Sequence, residues 1–186
     1  NRSELVAQAT GTDYKSFAWS RHSVRSFTDD PVPECLLLQA VDLARKAPSA
    51  CNRQAGRVYV VTNKEVLAAV KNVMDGIRGM EESINCLLIV AADMSVFYHI
   101  KERNQAFIDG GIFLMALLNS LHYYGLGACT LNWSVESCRD KALRRLVPLK
   151  SCETVVAMVA VGCVPDAFQV AVAPRHPVKH FMTLIA

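Results

Sequence analysis

The sequence lacks the features that mark a nucleic-acid-binding or a low-complexity chain. Its 186 residues carry 20 Lys and Arg against 17 Asp and Glu, a net charge of +3, whereas nucleic-acid binders usually show a dominant basic patch. Hydrophobic residues make up 52% of the chain, which excludes a disordered chain. There is no internal repeat and no linker-like composition break. We therefore expect one domain over residues 1–186, with residues 1–13 flexible, and no nucleic-acid partner.

Paired cysteine motifs are also missing. The seven cysteines are scattered, and none forms a Cys-x-x-Cys pair. A secreted disulfide framework usually has an even number of cysteines in a shorter chain. The pattern favours buried thiols in a reducing compartment, so we expect a cytoplasmic protein.

Long charge-free runs are absent as well. The best apolar run, from Ile112 to Leu118, is bounded by Asp109, Asn119 and His122, whereas a membrane-spanning helix needs about 20 apolar residues. The N-terminus shows no charged-then-apolar signal pattern, although a start at Asn1 leaves a trimmed or processed chain open. We expect no membrane partner.

Several catalytic motifs do not occur. The chain has no P-loop, no His-Glu-x-x-His zinc motif and no Gly-x-Ser-x-Gly elbow. Gly125-x-Gly127-x-x-Thr130 resembles a dinucleotide fingerprint, but it follows a predicted helix instead of a strand. His176 and His180 have a metal-ligand spacing, but Pro177 lies between them and no third ligand is near. We therefore expect no metal site.

The apolar periodicity predicts a mixed set of elements. Helices are expected over 14–20, 34–47, 64–74, 104–124 and 135–146, the last capped by Ser134. Strands are expected over 58–61, 86–92, 128–131 and 153–162. Since the elements do not alternate as βαβ units, the predicted class is α+β. The helix 104–124 is apolar nearly all round, which indicates that it also packs against a partner subunit.

Three polar clusters interrupt this framework. In an extended backbone Arg21, Ser23 and Arg25 share one face and suit a phosphate dianion, although a solvated basic loop has the same sequence. The loop 47–54 offers Ser, Asn and Gln side chains to a planar heterocycle, although turn formation alone also explains them. Arg175 lies in the tail, where a lone arginine is usually solvated.

Together these clusters resemble the nitroreductase family of FMN-dependent oxidoreductases. The resemblance rests on RHSVRSFTDDPVP (21–33), ARKAPSACNRQ (44–54), FIDGGIFLMALLNSLHYYGLGACTLNW (107–133), VGCVP (161–165) and PRHPV (174–178). It implies a mostly antiparallel sheet flanked by helices, in an intertwined homodimer. The helix 104–124 would lie at the two-fold interface, and residues 165–186 would embrace the partner, with Phe181–Ile185 as an added edge strand.

The resemblance also implies the cofactor site, which is FMN with NADH or NADPH as reductant. The matched cofactor-binding positions are Arg21, His22, Ser23, Arg25, Pro48, Ser49, Asn52, Gln54, Thr130, Leu131, Asn132 and Arg175. Arg21, Ser23 and Arg175 match phosphate ligands, and Arg25 matches the basic residue that tunes the ring. The loop 48–54 would come from the other subunit. A backbone N–H near Asn132 would point at flavin N(5), and no side chain need act as a nucleophile.

The chain departs from the family at three places. Larger members carry a basic or amide ring contact around Ile77–Met80, and no clear equivalent is found here. Their lid is replaced by a short connection in which Phe97 and Tyr98 are the expected substrate contacts, although Phe97 is equally suited to core packing. Trp133 replaces a small or acidic residue and is expected to narrow the substrate pocket.

The predicted activity is ping-pong hydride transfer from NAD(P)H to FMN and then to a small-molecule acceptor, a nitroaromatic, quinone or enone-like compound. Two alternatives stay open. One is a flavin-fragmenting or dehalogenating relative with the same fold. The other is a non-catalytic flavin-binding or sensing protein.

Overall fold

The structure, a computed structural model, describes residues 13–185. Within them the helices are α1 (Tyr14–Ser20), α2 (Glu34–Ala44), α3 (Lys64–Lys71), α4 (Gln105–Tyr123) and α5 (Ser137–Leu146). The strands are β1 (Gly56–Val61), β2 (Cys86–Asp93), β3 (Leu126–Leu131) and β4 (Glu153–Cys163). The prediction of flexibility over 1–13 lies outside the described residues, except for Asp13, which caps α1 by accepting from the Ser16 N–H at 3.1 Å.

The four strands form one antiparallel sheet in the order β1-β2-β4-β3. Every residue of β2 is buried, and most of β4 is buried too. A strand that is covered on both faces has a continuous run of apolar residues. The sequences of β2 and β4 have such runs. The predicted α+β class with an antiparallel sheet flanked by helices is confirmed.

Side chains alternate between two cores, one on each face of the sheet. Leu87, Ile89, Met158 and Ala160 face the larger core, together with apolar residues of α3 and α5. Leu88, Val90, Val159 and Val161 face the second core, under α2 and α4. The sheet edges β1 and β3 are thereby fixed relative to both helix layers.

Helix α4 has the composition of a membrane-spanning helix. It has 19 residues, and an 18-residue window within it has a mean hydropathy of 1.2. By length and composition alone, the expectation that no segment is long and apolar enough to cross a membrane is therefore wrong. The reason is that Phe107, Ile108 and Leu121 extend the apolar character beyond 112–118. A core helix passes the same test, and α4 packs on the sheet so closely that a Cβ at Gly110 would lie 2.6 Å from Val156.

Two local predictions need correction. The α5 helix begins at Ser137 with Glu136 at the N-cap, because the Ser134 hydroxyl instead donates to Asn132 Oδ1. The β3 strand begins at Leu126, directly after Gly125, whose φ of +76° ends α4. Residues 164–185 contain no strand in the single chain, so the edge strand expected from Phe181–Ile185 on a partner's sheet stays a prediction.

Candidate functional site

The basic segment 21–25 runs along the outer edge of β3. The Val24 N–H donates to the Ala128 carbonyl at 3.0 Å, and Val24 is buried. Gly127 leaves room for this close packing, because a Cβ there would lie 2.7 Å from Val164 and 3.2 Å from Val24. The segment leaves Arg21 and Ser23 half-buried, and His22 and Arg25 exposed.

A second anchor fixes this segment at its far end. The Thr28 N–H donates to the Cys163 carbonyl at 2.9 Å. Phe27 is buried over Gly162, where a Cβ would lie 2.5 Å from the Phe27 side chain. The two anchors hold the basic side chains on β3 and β4 rather than in a free loop.

His122 belongs to this neighbourhood and was not singled out from the sequence. The Ser20 hydroxyl and His122 Nε2 are 2.8 Å apart. Burial lowers the pKa of His122, and the charges of Arg21 and His22 lower it further. These residues line a cavity of about 210 Å³. A single histidine on an apolar helix gives no sequence signal for this placement.

The outer edge of β3 is available for backbone hydrogen bonds beyond Ala128. Since Ala128 turns its carbonyl outward to Val24, the N–H and C=O of Thr130 face the same side two residues later. Thr130 and Asn132 are exposed, and Leu131 is buried. The Trp133 ring packs against the larger core, and its Nε1 donates to Asp140 Oδ1 at 3.3 Å.

Arg25 also lies near β3. Burial raises the pKa of the Cys129 thiol, and the positive charge of Arg25 opposes that rise. The Ser83 hydroxyl donates to the Arg25 carbonyl at 3.4 Å, which ties the segment to the turn before β2. In that turn Arg78 is exposed. The interval around Ile77–Met80 therefore does present a basic side chain, which sequence reasoning passed over.

The loop 48–54 is strained. Cys51, Asn52 and Gln54 have φ values of 51°, 55° and 52°, a region that costs non-glycine residues about 1–3 kcal/mol each and is frequent at functional sites. The Ser49 hydroxyl accepts from the Gln54 N–H at 3.0 Å, and Gln54 Nε2 donates to the Asn52 carbonyl at 3.2 Å. Only a well-anchored loop keeps this conformation.

Asp109 of α4 provides the anchor. Its carboxylate is 4% exposed and accepts from the Ala50 N–H at 3.0 Å and from Gln105 Nε2 at 2.7 Å. Together with Pro48, Ser49 and Gln54 it lines a cavity of about 40 Å³. The buried carboxylate thus connects the loop to the long helix.

The predicted substrate contacts lie beside the same loop. Phe97 is partly buried and packs against Ala55, Ala92 and Ala106. Tyr98 is 83% exposed, and its ring centre lies 4.6 Å from the Arg53 guanidinium. Core packing therefore accounts for Phe97, whereas Tyr98 presents its ring to solvent.

In one chain these two groups of residues stay apart. The loop 48–54 leads into β1 at one edge of the sheet, and the segment 21–25 lies on β3 at the other. Three interstrand steps separate the edges, or about 14 Å. Arg175 is exposed and donates to its neighbour's carbonyl at Ala173. The described residues show no hydrogen bond from Arg175 to either group.

Comparisons with known proteins give one consistent result. A model described as the nitroreductase family matches residues 18–163. A curated NADH dehydrogenase of Thermus thermophilus is 34% identical over 90 residues, which are 48% of this chain and 44% of that protein. The alignment thus spans less than half of the relative's length.

Solved structures share the fold over nearly the whole chain. An NADH dehydrogenase/NAD(P)H nitroreductase from Parabacteroides distasonis has a TM-score of 0.77 at 20% identity, covering 90% of this chain and 95% of that one. A nitroreductase in complex with FMN from Desulfovibrio desulfuricans has a TM-score of 0.75 at 19% identity, covering 92% and 95%. An NAD(P)H:FMN oxidoreductase from Staphylococcus epidermidis has a TM-score of 0.80 at 16% identity, covering 94% and 96%.

Proposed function

Because this chain belongs to the nitroreductase family, we propose that it is an FMN-dependent oxidoreductase that draws electrons from NADH or NADPH. The acceptor is a small molecule such as a nitroaromatic, a quinone or an enone-like compound, reduced in a ping-pong cycle. The observation that carries this proposal is the segment 21–25, which is fixed along the outer edge of β3 by the hydrogen bond from Val24 to Ala128. Arg21 and Ser23, the proposed phosphate ligands, and Arg25, the proposed ring contact, thus lie along one edge of the sheet.

The residues at this edge fit FMN. The guanidinium of Arg21 and the hydroxyl of Ser23 supply the donors that a phosphate dianion needs. Arg25 supplies a positive charge that favours the anionic reduced ring. Backbone N–H groups of Thr130, on β3, and of Asn132, just after β3, would donate to the cofactor. When bound, FMN supplies the redox chemistry, and this chain binds, orients and tunes it.

We propose that the complete site is shared between two copies of the chain. The loop 48–54 and the segment 21–25 lie at opposite edges of one sheet, so a second copy is needed to bring a loop to each β3 edge. Arg175 would join the phosphate ligands within this assembly. Each copy would be a single domain, which we place in the cytoplasm because all seven cysteines are free.

Two surfaces of the chain fit a second copy. Helix α4 exposes an outward stripe whose members are Ile108, Ile112, Met115 and Tyr123, between 40% and 66% exposed. Beside the free edge of β1 lies a groove of about 1110 Å³. The tail carries apolar side chains to fill such a groove, since Phe181, Leu184 and Ile185 are 69% to 92% exposed.

The decisive test is an absorbance titration with FMN, followed without oxygen by NADH and then NADPH. We expect a perturbed, stoichiometric flavin spectrum that bleaches with at least one nucleotide. Binding without bleaching supports a flavin-binding or sensing protein instead. Benzimidazole formed from reduced FMN in air, or turnover of a halotyrosine, supports the fragmenting or dehalogenating alternatives. Absence of binding overturns the proposed function.

The phosphate role of Arg21 has its own test. We expect Arg21→Ala to weaken FMN binding about 10- to 100-fold, because a charge-assisted hydrogen bond is lost. Riboflavin, which has no phosphate, should bind both proteins equally. Arg139→Ala, at an arginine that pairs with Asp75 on the surface, is the matched control. Equal losses for riboflavin and FMN would show that Arg21 does not contact the phosphate.

A further inference from the structure

The cavity at the C-terminal ends of α1 and α4 has a basic lining. Arg21, His22 and His122 contribute to it, together with Ser20. Among the described residues that line this cavity, none is acidic. Its volume of about 210 Å³ leaves room for a phosphate group, since a water molecule occupies about 30 Å³ in the liquid. Arg21, a proposed phosphate ligand, therefore shares this space with two imidazoles.

Ser20 and Phe17 fix the ring of His122. The Ser20 hydroxyl donates to the Phe17 carbonyl at 2.9 Å, so its one proton is already in use. In the 2.8 Å contact between Ser20 Oγ and His122 Nε2, His122 is therefore the donor. A neutral imidazole carries one N–H, which leaves Nδ1 as the nitrogen that gains a proton when His122 becomes charged. The contact with Ser20 is the same in both charge states.

The surroundings of His122 keep its ring neutral in the free protein. Burial lowers the pKa of His122 most, and the positive charges of Arg21 and His22 lower it further. These two are the charged or titratable groups that face His122 among the described residues. The neighbouring parts of α1, of β3 and of the segment beyond β4 present the Ser20 hydroxyl and apolar side chains. No described carboxylate opposes the decrease.

A phosphate dianion at Arg21 reverses the sign of this local field. An opposite charge within a few ångströms favours the charged form of a titratable group. His122 then changes from a third, destabilised positive charge into a partner of the anion.

We propose that His122 couples cofactor binding to pH: when the phosphate dianion of FMN binds at Arg21, His122 takes up one proton from water at Nδ1, so FMN binds more tightly in mildly acidic than in mildly alkaline solution. The inference rests on the proposed function, because it assigns a regulation to the same phosphate site. The coupling acts through the phosphate and not through the flavin ring.

The FMN-bound protein holds more protons than the free protein between the two pKa values of His122. The affinity for FMN therefore falls as the pH rises through this interval. The phosphate group of FMN has its own second pKa near 6. Above about pH 6.5 the ligand is mainly the dianion, so its own titration contributes little there.

The test measures the Kd for FMN by flavin fluorescence between about pH 6.5 and pH 8, where a histidine changes its charge. We expect the wild-type chain to bind FMN about 3- to 10-fold more weakly at the upper end, since one unit of pKa shift corresponds to a tenfold change. His122→Gln keeps an N–H for Ser20 and should lose this dependence. Riboflavin, which has no phosphate, should bind the wild-type chain equally at both ends.

His99→Gln is the matched control, at an exposed histidine that caps the turn after β2. It should keep the wild-type dependence on pH. NMR of ring-labelled histidine gives a second readout on the wild-type chain, so the test does not depend on the folding of a variant. The pKa of His122 should lie below its usual range in the free and riboflavin-bound chains and above it with FMN.

Three results overturn this inference alone, in a chain that binds FMN. They are an FMN affinity that does not change with pH, a His122→Gln variant that keeps the full change, and a His122 pKa that is the same with and without FMN. Failure of the wild-type chain to bind FMN at any of these pH values overturns the proposed function and this inference with it.

Discussion

The buried carboxylate of Asp109 is the residue on which the conformation of the loop 48–54 depends most directly. It is the acceptor for the Ala50 N–H at 3.0 Å, next to three residues held in the left-handed region. Sequence reasoning gave it no role, because an Asp in an apolar helix shows neither its burial nor a partner 59 positions away. Its contact comes only from the packing of α4 beside the start of β1.

We expect Asp109→Ala to reduce the free energy of unfolding by about 1–3 kcal/mol, because the Ala50 N–H loses its acceptor. Release of the strained loop should also speed amide hydrogen exchange at residues 50–54. Gln105→Ala is the matched control, since it removes the other partner of Asp109 and leaves the Ala50 contact in place. Unchanged exchange in Asp109→Ala would show that the loop is held by other contacts.

At the scale of elements, the pattern of apolar residues predicts most of the framework. The continuous apolar runs of β2 and β4 and the 3.6-residue period of α3 are local signals, and the structure has these elements within a few residues of the predicted bounds. Three features depend on contacts distant in sequence: the strand order, the left-handed residues 51, 52 and 54, and the pairing of Arg53 with Glu102. No local pattern encodes them. The Ser, Asn and Gln side chains and the family resemblance pointed to the loop, but not to its conformation.

One such distant contact joins two strands that are not neighbours. The Tyr59 hydroxyl on β1 donates across β2 to Glu153 Oε2 on β4, and Glu153 is 2% exposed. Burial, and then the hydrogen bond to Glu153, raise the pKa of Tyr59 to about 12. The folded state therefore keeps a proton that the unfolded chain releases near pH 10.

The stability carried by this contact is complete below pH 10 and should fall as the pH rises from 10 to about 12. Tyr59→Phe should lower the free energy of unfolding by about 2 kcal/mol at pH 7, since a hydrogen bond to a charged group is lost. In this variant the free energy of unfolding should also fall less steeply as the pH rises from 10 to about 12. Urea unfolding at several pH values measures both effects. Tyr14→Phe, at an exposed tyrosine, is the control and should change neither the stability at pH 7 nor its fall above pH 10. If the stability of Tyr59→Phe falls above pH 10 as steeply as that of the parent, Tyr59 is not the cause of the fall.

For the whole molecule, the sheet order and the exposed stripe of α4 point to the same assembly. The loop 48–54 and the segment 21–25 lie at opposite edges of one sheet, whose two edge strands are about 14 Å apart. The apolar stripe on α4 connects to the loop through Asp109, so a second copy seated on α4 would place its own residues next to that loop. Contact between copies and completion of the site should therefore be lost together.

We expect Ile112→Glu to convert the proposed dimer into monomers, because Ile112 is 40% exposed in the single chain and a charge at a subunit interface is costly. The same variant should lose FMN binding although Ile112 lies outside both residue groups. Analytical ultracentrifugation and the FMN titration, made at one protein concentration, measure the two properties. Cys138→Glu makes the same charge change at an exposed position of α5 and should remain dimeric and bind FMN. A monomeric Ile112→Glu protein that binds FMN as tightly as the parent would show that one chain holds the whole site, and the shared-site proposal would then have to be abandoned.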